Sequence, residues 1–166
     1  MIFSIFFIII SYYENFHEHF NHKYVLNDQR CFSNETIKTS CSNYQQSISL
    51  FNCIFNSFKC SVQGGALYLS FKENNQINSI ECCKFIRCPS NIGGAIYFVS
   101  TSKTNITYNS CIFESNSANI YGGAIYSDYS NSFFYNCQFK DNSVVNKSYT
   151  YGGALYSTRS FTYFDF

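Results

Sequence analysis

Carboxylates are the side chains of this sequence with the widest range of chemistry, and they are few and scattered. A polysaccharide-cleaving site needs paired acids, or an acid beside His or Arg, close together in space. The chain has 10 acidic residues among 166. Glu114 and Asp128 are the two that could meet in a groove. Their spacing favours solvated turn residues over a catalytic pair, so we expect a protein that is not an enzyme and that uses no cofactor.

The three histidines are the next candidates for chemistry. His17, His19 and His22 lie close together near the N-terminus. A helix would place His19 and His22 on one face and a strand would do so for His17 and His19, but neither arrangement completes a set of metal ligands. We therefore expect an exposed polar leader and no metal site.

The composition limits the classes of partner. The net charge is +1, and only 13% of the residues are charged, so no long-range field attracts nucleic acid. Aromatic residues make up 20% of the chain, and this much ring surface has to be buried by folding. We predict one ordered domain that does not bind nucleic acid.

The N-terminal residues suggest a secreted protein. Residues 2–10 are apolar apart from Ser4, and nine residues in a helix span ~14 Å, about half of a bilayer core. Residues 1–11 are therefore predicted to be a signal peptide, with a buried first strand as the alternative, and no spanning helix is expected. Nine cysteines fit an oxidising compartment. Three sequons, at Asn34, Asn105 and Asn146, could carry N-linked glycans in an extracellular or cell-surface protein.

A repeat organises most of the chain. The motif Gly-Gly-Ala-(Leu/Ile)-Tyr occurs four times, at offsets of 29, 29 and 30 residues, and a Cys-x-Phe motif keeps step with it. The glycine pair of each motif is expected where the chain turns sharply or lies close to a neighbouring strand. The glycine and tyrosine positions are Gly64, Gly65, Tyr68, Gly93, Gly94, Tyr97, Gly122, Gly123, Tyr126, Gly152, Gly153 and Tyr156.

Within each unit the apolar residues alternate with polar ones, which indicates strands and no helix. A unit of about 29 residues with two or three short strands has the size of one coil of a β-solenoid, in which equivalent residues stack about 4.8 Å apart. The aliphatic residue of each glycine motif should face the core and its tyrosine the outside. The expected core ladders are Cys53, Cys83, Cys111 and Cys137, and Phe55, Phe85, Phe113 and Phe139.

The repeat also sets the domain organisation and the cysteine pairing. Residues 48–166 should form the solenoid, with an incomplete last coil, and residues 12–47 a cap or a degenerate first coil. Cys60 and Cys88 precede their glycine pairs by four and five residues, so we expect them to form a disulfide, with Cys31 and Cys41 as the second candidate pair. The ladder cysteines are more plausibly small buried hydrophobes than disulfide partners.

The motif pair Gly-Gly-Ala-(Ile/Leu)-Tyr and Cys-x-Phe-x-x-Asn resembles the GGA(I/L/V) and FxxN repeats of the polymorphic membrane protein family, and similar repeats in surface proteins of parasitic protists. The resemblance covers about residues 53–156. It implies an all-β, right-handed parallel β-helix of about four coils. It also implies a surface-exposed or secreted protein, with adhesion as the commonest role. Two units depart from it, because Phe58 and Cys88 replace the FxxN asparagine.

These observations predict a non-enzymatic secreted or cell-surface β-solenoid that adheres to a protein or glycan of a host or neighbouring cell. Repeated outer side chains would make multivalent contacts. An open solenoid end would permit end-to-end self-association. The alternative is a carbohydrate-active β-helix that binds or cleaves polysaccharide along one sheet.

Overall fold

The computed structural model describes residues 43–44, 48–72, 77–146 and 150–165. All regular secondary structure in these ranges is β-strand. The predicted signal peptide at residues 1–11 lies outside them, together with the rest of the N-terminal segment before residue 43. The predictions for the histidine cluster, for Asn34 and for a Cys31–Cys41 pair therefore lie outside the described residues as well.

The described residues form short strands that alternate with sharp corners. In chain order these strands are β1 (Asn43–Tyr44), β2 (Ser49–Phe51), β3 (Ile54–Asn56), β4 (Leu67–Phe71), β5 (Ile77–Glu81), β6 (Lys84–Ile86), β7 (Pro89–Ile92), β8 (Ile96–Asn109), β9 (Ile112–Glu114), β10 (Ser117–Tyr121), β11 (Ile125–Tyr135), β12 (Gln138–Lys140), β13 (Ser143–Val144), β14 (Leu155–Thr158) and β15 (Phe161–Asp165).

The strands stack into three parallel sheets, which confirms the predicted β-solenoid. The first sheet has the order β1-β4-β8-β11-β14, continued along each coil by β2, β5 and β15. The second has the order β12-β9-β6-β3, and the third β13-β10-β7. Equivalent residues of successive coils are in register, as Tyr68, Tyr97, Tyr126 and Tyr156 are. One coil therefore corresponds to one unit of the sequence repeat.

Left-handed backbone conformations turn the chain at the corners between sheets. One such residue precedes each ladder cysteine, and another lies two residues after each ladder phenylalanine. Asn, Asp and Ser suit these positions because their side chains can bond to nearby backbone. The residues with positive φ at these two corners are Asn52, Cys82, Ser110 and Asn136, and Ser57, Arg87, Ser115 and Asp141.

The two glycines of each motif have different structural roles at the third corner, which lies between the third sheet and the first. Gly122 has a φ of 60°, and a Cβ there would lie within 3 Å of the Ile125 carbonyl group. Gly123 has no positive φ, but a Cβ there would lie within 3 Å of backbone atoms of Gly153 and Ser143 in the next coil. The first glycine thus permits the turn, and the second lets two coils approach each other.

The core consists of in-register columns of apolar side chains. Leu67, Ile96 and Ile125 are buried as expected. The phenylalanine column has ring centroids 4.8, 5.0 and 4.8 Å apart, with ring planes within 9° of parallel. This column accounts for four of the 19 phenylalanines of the chain.

The asparagine of the FxxN motif crosslinks successive coils from inside the core. Asn116 is fully buried, and its Nδ2 donates to the Phe85 carbonyl at 2.9 Å. Its Oδ1 accepts from the Cys88 amide at 3.0 Å. Asn142 repeats the arrangement one coil on, since its Nδ2 donates to the Phe113 carbonyl at 2.8 Å. The asparagine thus gives the Cys88 amide a partner and adds a hydrogen bond to the Phe85 carbonyl at the corner between the second and third sheets.

Cysteine and phenylalanine replace this asparagine in the first two units. The Cys88 thiol contacts the Phe55 carbonyl, the equivalent of the Phe85 carbonyl, at 3.7 Å. Phe58 packs on Phe55 edge to face, with centroids 5.7 Å apart. The side chain at the position of the FxxN asparagine is therefore an amide in the last two units, a thiol in the second and a phenyl ring in the first. Its hydrogen bonds to the neighbouring coil weaken in the same order.

The expected Cys60–Cys88 disulfide is wrong. Cys88 is a buried free thiol, whereas Cys60 is disulfide-bonded. The amide of Cys60 donates to the Pro89 carbonyl, which aligns Cys60 with Ser90, two positions beyond Cys88. Counting back from the glycine pairs missed this offset, because the loops before the glycines differ in length.

The cysteine ladder of Cys53, Cys83, Cys111 and Cys137 is buried and consists of free thiols. Cys111 Sγ donates to the Ile80 carbonyl at 3.1 Å and Cys83 Sγ to the Glu81 carbonyl at 3.1 Å. A hydrogen bond with the Cys53 thiol, together with burial, raises the pKa of Cys83 above its ordinary value. The four buried thiols behave as small core residues.

Thiol labelling should separate Cys82 from the other free cysteines of the described residues. Cys82 is exposed. The buried free cysteines are Cys53, Cys83, Cys88, Cys111 and Cys137. We expect iodoacetamide to modify Cys82 within minutes in the native protein, and the buried thiols only after unfolding. Mass mapping of labelled peptides with and without denaturant measures this. Fast native labelling of Cys111 would contradict the burial of the ladder.

Replacing Tyr108 with phenylalanine should stabilise the protein. The Tyr108 hydroxyl is fully buried and has no hydrogen-bond partner among the described residues. The next ring in its column, Phe134, lacks that group and stacks on it at 4.5 Å. Removing an unsatisfied buried hydroxyl should raise the free energy of unfolding by about 1 kcal/mol. Urea denaturation measures the change, and Tyr135→Phe, on the half-buried outer side of β11, serves as the control. A loss of stability in Tyr108→Phe would contradict this packing.

Candidate functional site: an outer tyrosine face

Stacked tyrosines cover one outer corner of the solenoid. The motif tyrosines follow the inward aliphatic residue, so strand alternation turns them outward, and all of them are half-buried. Two further tyrosines from the end of the third sheet and the loop after it join them. We call this group the tyrosine face; its members are Tyr68, Tyr97, Tyr121, Tyr126, Tyr151 and Tyr156.

The rings of the tyrosine face order one another. Tyr97 lies against Tyr68 edge to face, with centroids 5.1 Å apart, and is stacked on Tyr126 at 4.9 Å with ring planes 6° apart. Tyr126 is stacked in turn on Tyr156 at 5.6 Å. Tyr121 is stacked on Tyr156 at 4.9 Å and on Tyr151 at 5.9 Å. The result is a continuous two-column aromatic surface fixed to a rigid sheet.

This stacking determines which contacts the face can make. Tyr97 and Tyr126 each lie between two ring neighbours, so much of their ring faces is occupied within the chain. A sugar that stacks on an aromatic platform requires a free ring face. Ring edges and phenol groups suit contact with protein side chains and backbone, because tyrosine combines apolar area with a polar end.

An ion pair borders the tyrosine face. The Arg159 guanidinium binds the Asp128 carboxylate through two nitrogens, Nε at 2.9 Å and Nη2. It also lies over the Tyr129 ring, 4.6 Å from the centroid. Tyr129 and Arg159 occupy equivalent left-handed corners of successive coils. The pair ties the last two coils together beside the face.

The environment of the face suppresses phenol ionisation. Burial, and then the neighbouring Tyr126, Tyr68 and Asp128, raise the pKa of Tyr97 to about 12. Burial, and then Asp128, raise the pKa of Tyr126 above its ordinary value as well. Tyr97 and Tyr126 are therefore uncharged at neutral pH, and their phenols can donate hydrogen bonds.

These shifts predict alkaline destabilisation. A phenol whose folded pKa exceeds its unfolded value of ~10 holds its proton more tightly in the folded state. Its contribution is fully present below pH ~10 and is lost as the pH rises toward 12, the folded value for Tyr97. We expect thermal stability to fall over this window, and Tyr97→Phe to flatten the fall. The control Tyr135→Phe should leave the dependence of thermal stability on pH unchanged. If Tyr97→Phe also left it unchanged, the raised pKa of Tyr97 would be contradicted.

The acids considered for catalysis lie on different sheets and have basic partners. Glu114 is in β9 of the second sheet and pairs with Lys140 at 3.1 Å, while Asp128 is in β11 of the first sheet and pairs with Arg159. Within the part of the chain that the structure describes, no three His, Cys, Asp or Glu side chains come together as a metal site. The structure thus places each of these two acids in an ion pair between coils.

Of the predicted glycan sites, Asn105 and Asn146 are described, and both are exposed. Asn105 also accepts a hydrogen bond from Asn131 Nδ2 at 2.9 Å across neighbouring coils. Glycosylation at these positions stays a prediction.

Sequence reasoning identified the motif tyrosines but missed Tyr121 and Tyr151. Both directly precede a glycine pair, where the earlier units have Gln63 and Ile92. Position relative to the glycine motif was the signal that could have found them. The structure pairs Tyr121 with Tyr151 through a parallel bridge.

Comparison with known proteins supports the repeat. Searches of curated proteins and of solved structures found no match. No described residues form a helix long and apolar enough to cross a membrane. Residues 110–128 match the Chlamydia polymorphic membrane protein repeat. This segment runs from the corner before Cys111 through the FxxN asparagine and the third glycine pair to Asp128. The chain therefore contains a polymorphic membrane protein-like repeat that folds as part of a β-solenoid.

Proposed function

We propose that this protein is a non-enzymatic, surface-associated β-solenoid that adheres to proteins of a host or neighbouring cell through its tyrosine face. The observation that carries the proposal is the continuous stack of six outward tyrosines along the solenoid axis. The match to a polymorphic membrane protein repeat supports the surface association.

The rigidity of the face favours adhesion. Tyrosine presents a large contact area with few rotatable bonds, and the stacked neighbours of Tyr97 and Tyr126 restrict those bonds further. Less conformational entropy is therefore lost on binding. Because the columns repeat once per coil, a partner that engages several coils binds multivalently.

Protein is favoured over polysaccharide as the partner for a geometric reason. The inner tyrosines stack on each other, which leaves their edges and phenols for contact. A polysaccharide-binding sheet would instead present a row of free ring faces. Binding or cleavage of polysaccharide remains the alternative that the experiment separates.

A graded series of tyrosine substitutions tests the proposal. Binding of the labelled chain to cultured cells is measured for Tyr97→Ser, Tyr126→Ser and the double variant. Each substitution should weaken binding roughly fivefold, the equivalent of about 1 kcal/mol. Tyr135→Ser, an outward tyrosine elsewhere on β11, is the matched control and should bind like the unmodified chain. Circular dichroism verifies that each variant is folded.

The outcomes distinguish the candidate functions. Complete loss of binding through one substitution would indicate a single pocket and contradict the multivalent mechanism. Binding to a glycan array, or cleavage of polysaccharide, together with no loss in the tyrosine series, would favour the carbohydrate-active alternative. If Tyr135→Ser weakened binding to cells as much as the face substitutions do, the tyrosine face would not be the adhesive surface.

A further inference from the structure

The tyrosine face offers hydrogen-bond donors at the spacing of the coils. Within the described part of the chain, no hydrogen bond uses the hydroxyls of Tyr68, Tyr97, Tyr126 and Tyr156. Burial is the largest cause that raises the pKa of Tyr97 to about 12 and the pKa of Tyr126 above its ordinary value, so both phenols keep their protons at neutral pH. A neutral phenol can donate one hydrogen bond. The motif tyrosines therefore form a row of donors, one in each coil.

The described positions next to the motif tyrosines carry no unpaired charge. The outward residues two positions after these tyrosines are, in successive coils, Ser70, Val99, Asp128 and Thr158. Asp128 is the charged one of the four, and the Arg159 guanidinium binds its carboxylate. Interfaces gain specificity when the charges of their two sides are complementary. A partner that matches this face is therefore uncharged there and supplies hydrogen-bond acceptors beside apolar surface.

Free backbone carbonyls are the acceptors that distinguish one class of polypeptide partner. α-Helices and β-sheets use their carbonyls in internal hydrogen bonds. A polyproline II helix has no internal hydrogen bonds, so its carbonyls are free to accept from a partner. Proline adds an apolar ring and has no N–H of its own to satisfy. A proline-rich segment in this conformation supplies both the acceptors and the apolar area that the face requires.

The spacing of the coils fits the polyproline II helix. Ring centroids in the phenylalanine column place successive coils 4.8 and 5.0 Å apart, so alternate coils are about 9.8 Å apart. A polyproline II helix has three residues per turn and rises about 3.1 Å per residue, which gives ~9.3 Å per turn. Every third carbonyl therefore lies within about 0.5 Å of the spacing of alternate coils. An extended strand repeats every ~6.7 Å, which matches neither one coil nor two.

We propose that the tyrosine face binds proline-rich segments in the polyproline II conformation, which lie along the solenoid axis and accept hydrogen bonds from the tyrosines of alternate coils. The two registers use Tyr68 with Tyr126, and Tyr97 with Tyr156. This inference rests on the proposed function, because it names the partner chemistry of the same face. Both surfaces are ordered before they meet, since polyproline is stiff and the stacked rings restrict one another. Little conformational entropy is therefore lost on binding.

Fluorescence anisotropy with labelled decaproline measures this binding. The full chain is titrated into the peptide, and a Gly-Ser peptide of equal length, which is a flexible coil, serves as the control ligand. We expect saturable binding of decaproline and none of the Gly-Ser peptide. Absence of decaproline binding, or equal binding of the two peptides, would overturn the proposal.

Two double variants test the alternating contact, because Tyr→Phe keeps the ring and removes the hydroxyl. Tyr68→Phe with Tyr126→Phe removes one register and leaves the other intact, so the affinity for decaproline should fall by about twofold. Tyr97→Phe with Tyr126→Phe takes one donor from each register and should weaken binding about fivefold. Tyr135→Phe is the matched control and should bind like the unmodified chain. Equal affinities of the two double variants would contradict the alternating register and overturn the proposal.

Binding to cultured cells separates this inference from the proposed adhesion. Excess decaproline should displace the labelled chain from cells. If Tyr97→Ser weakened binding to cells while decaproline neither bound the chain nor displaced it, this inference would be overturned and adhesion through the tyrosine face would stand. If decaproline bound in the expected pattern while Tyr97→Ser left binding to cells unchanged, the proposed adhesion would be overturned and the recognition of polyproline would stand.

Discussion

Gly123→Ala should destabilise this protein by about 3 kcal/mol or more, one of the largest effects expected of a single methyl group. The added Cβ would lie within 3 Å of the Gly153 carbonyl oxygen and of Ser143 backbone atoms. These are backbone atoms of the neighbouring coil, so no side chain can rotate away to make room. The coils would have to separate, which breaks hydrogen bonds such as that from the Gly123 amide to the Gly152 carbonyl. Urea denaturation followed by circular dichroism measures the loss.

The chain contains its own control for this prediction. Gly153→Ala places the same methyl group at the same position of the motif, where it meets no atom of the described residues within 4 Å. Its stability should be within about 0.5 kcal/mol of that of the unmodified chain. Equal destabilisation by the two alanines would show that glycine is needed for a local reason and would contradict close coil stacking.

Asn116→Ala should be comparably destabilising, by about 3 kcal/mol, for a different reason. The substitution leaves the Cys88 amide without its partner in the core, and it removes the side-chain hydrogen bonds to the Phe85 carbonyl and to Asn142 Oδ1. Each buried backbone group left unsatisfied costs about 1 to 3 kcal/mol. Thermal denaturation should show a midpoint lower by about 10 °C, given the usual size dependence.

The reverse substitution one coil earlier provides the complementary test. Cys88→Asn should restore the amide ladder, because Nδ2 of the new side chain would donate to the Phe55 carbonyl that the thiol contacts at 3.7 Å. We expect a gain of about 1 kcal/mol in the free energy of unfolding. If Cys88→Asn destabilised the chain and Asn116→Ala were neutral, the role assigned to the FxxN asparagine would be wrong.

The sequence predicted the solenoid well because repetition fixes register. Once Gly93 and Gly122 are equivalent, every residue between them has an equivalent in the next coil, and strand alternation then orients the side chains. Ile96 and Ile125 are buried and Tyr97 and Tyr126 lie outside for this reason. Both results follow from the period of the repeat and from strand alternation alone.

Features that depend on the exact path of a corner could not be predicted in this way. The Cys60–Cys88 disulfide failed because the loops before the glycine pairs differ by one residue. The inner column that begins with Leu69 and Phe98 continues as Ser127, whose hydroxyl is buried. It is satisfied by hydrogen bonds to the hydroxyls of Ser130 and Ser132, and a period-two pattern does not reveal such a cluster.

The sequence predicts one of the two columns of the tyrosine face. The motif predicts the positions of Tyr97 and Tyr126. The second column consists of Tyr121 and Tyr151, and it depends on these two residues lying beside the first sheet. Tyr121 reaches Tyr156 of the next coil at 4.9 Å. The position of Tyr121 before a glycine pair marks the residue, but the contact itself joins two sheets and does not follow from the repeat period.

Removing one coil tests most directly the central claim, that identical stacked coils carry a repeated adhesive face. Deletion of residues 93–121 joins Ile92 to Gly122 and preserves the phase of the repeat, because these residues precede and begin equivalent glycine motifs. The shortened chain loses Tyr97 and Tyr121 from the face. Its binding to cultured cells is measured beside its far-ultraviolet circular dichroism. We predict a folded β-protein that binds more weakly by a finite step. A chain that fails to fold, or one that folds and binds either fully or not at all, would contradict the account.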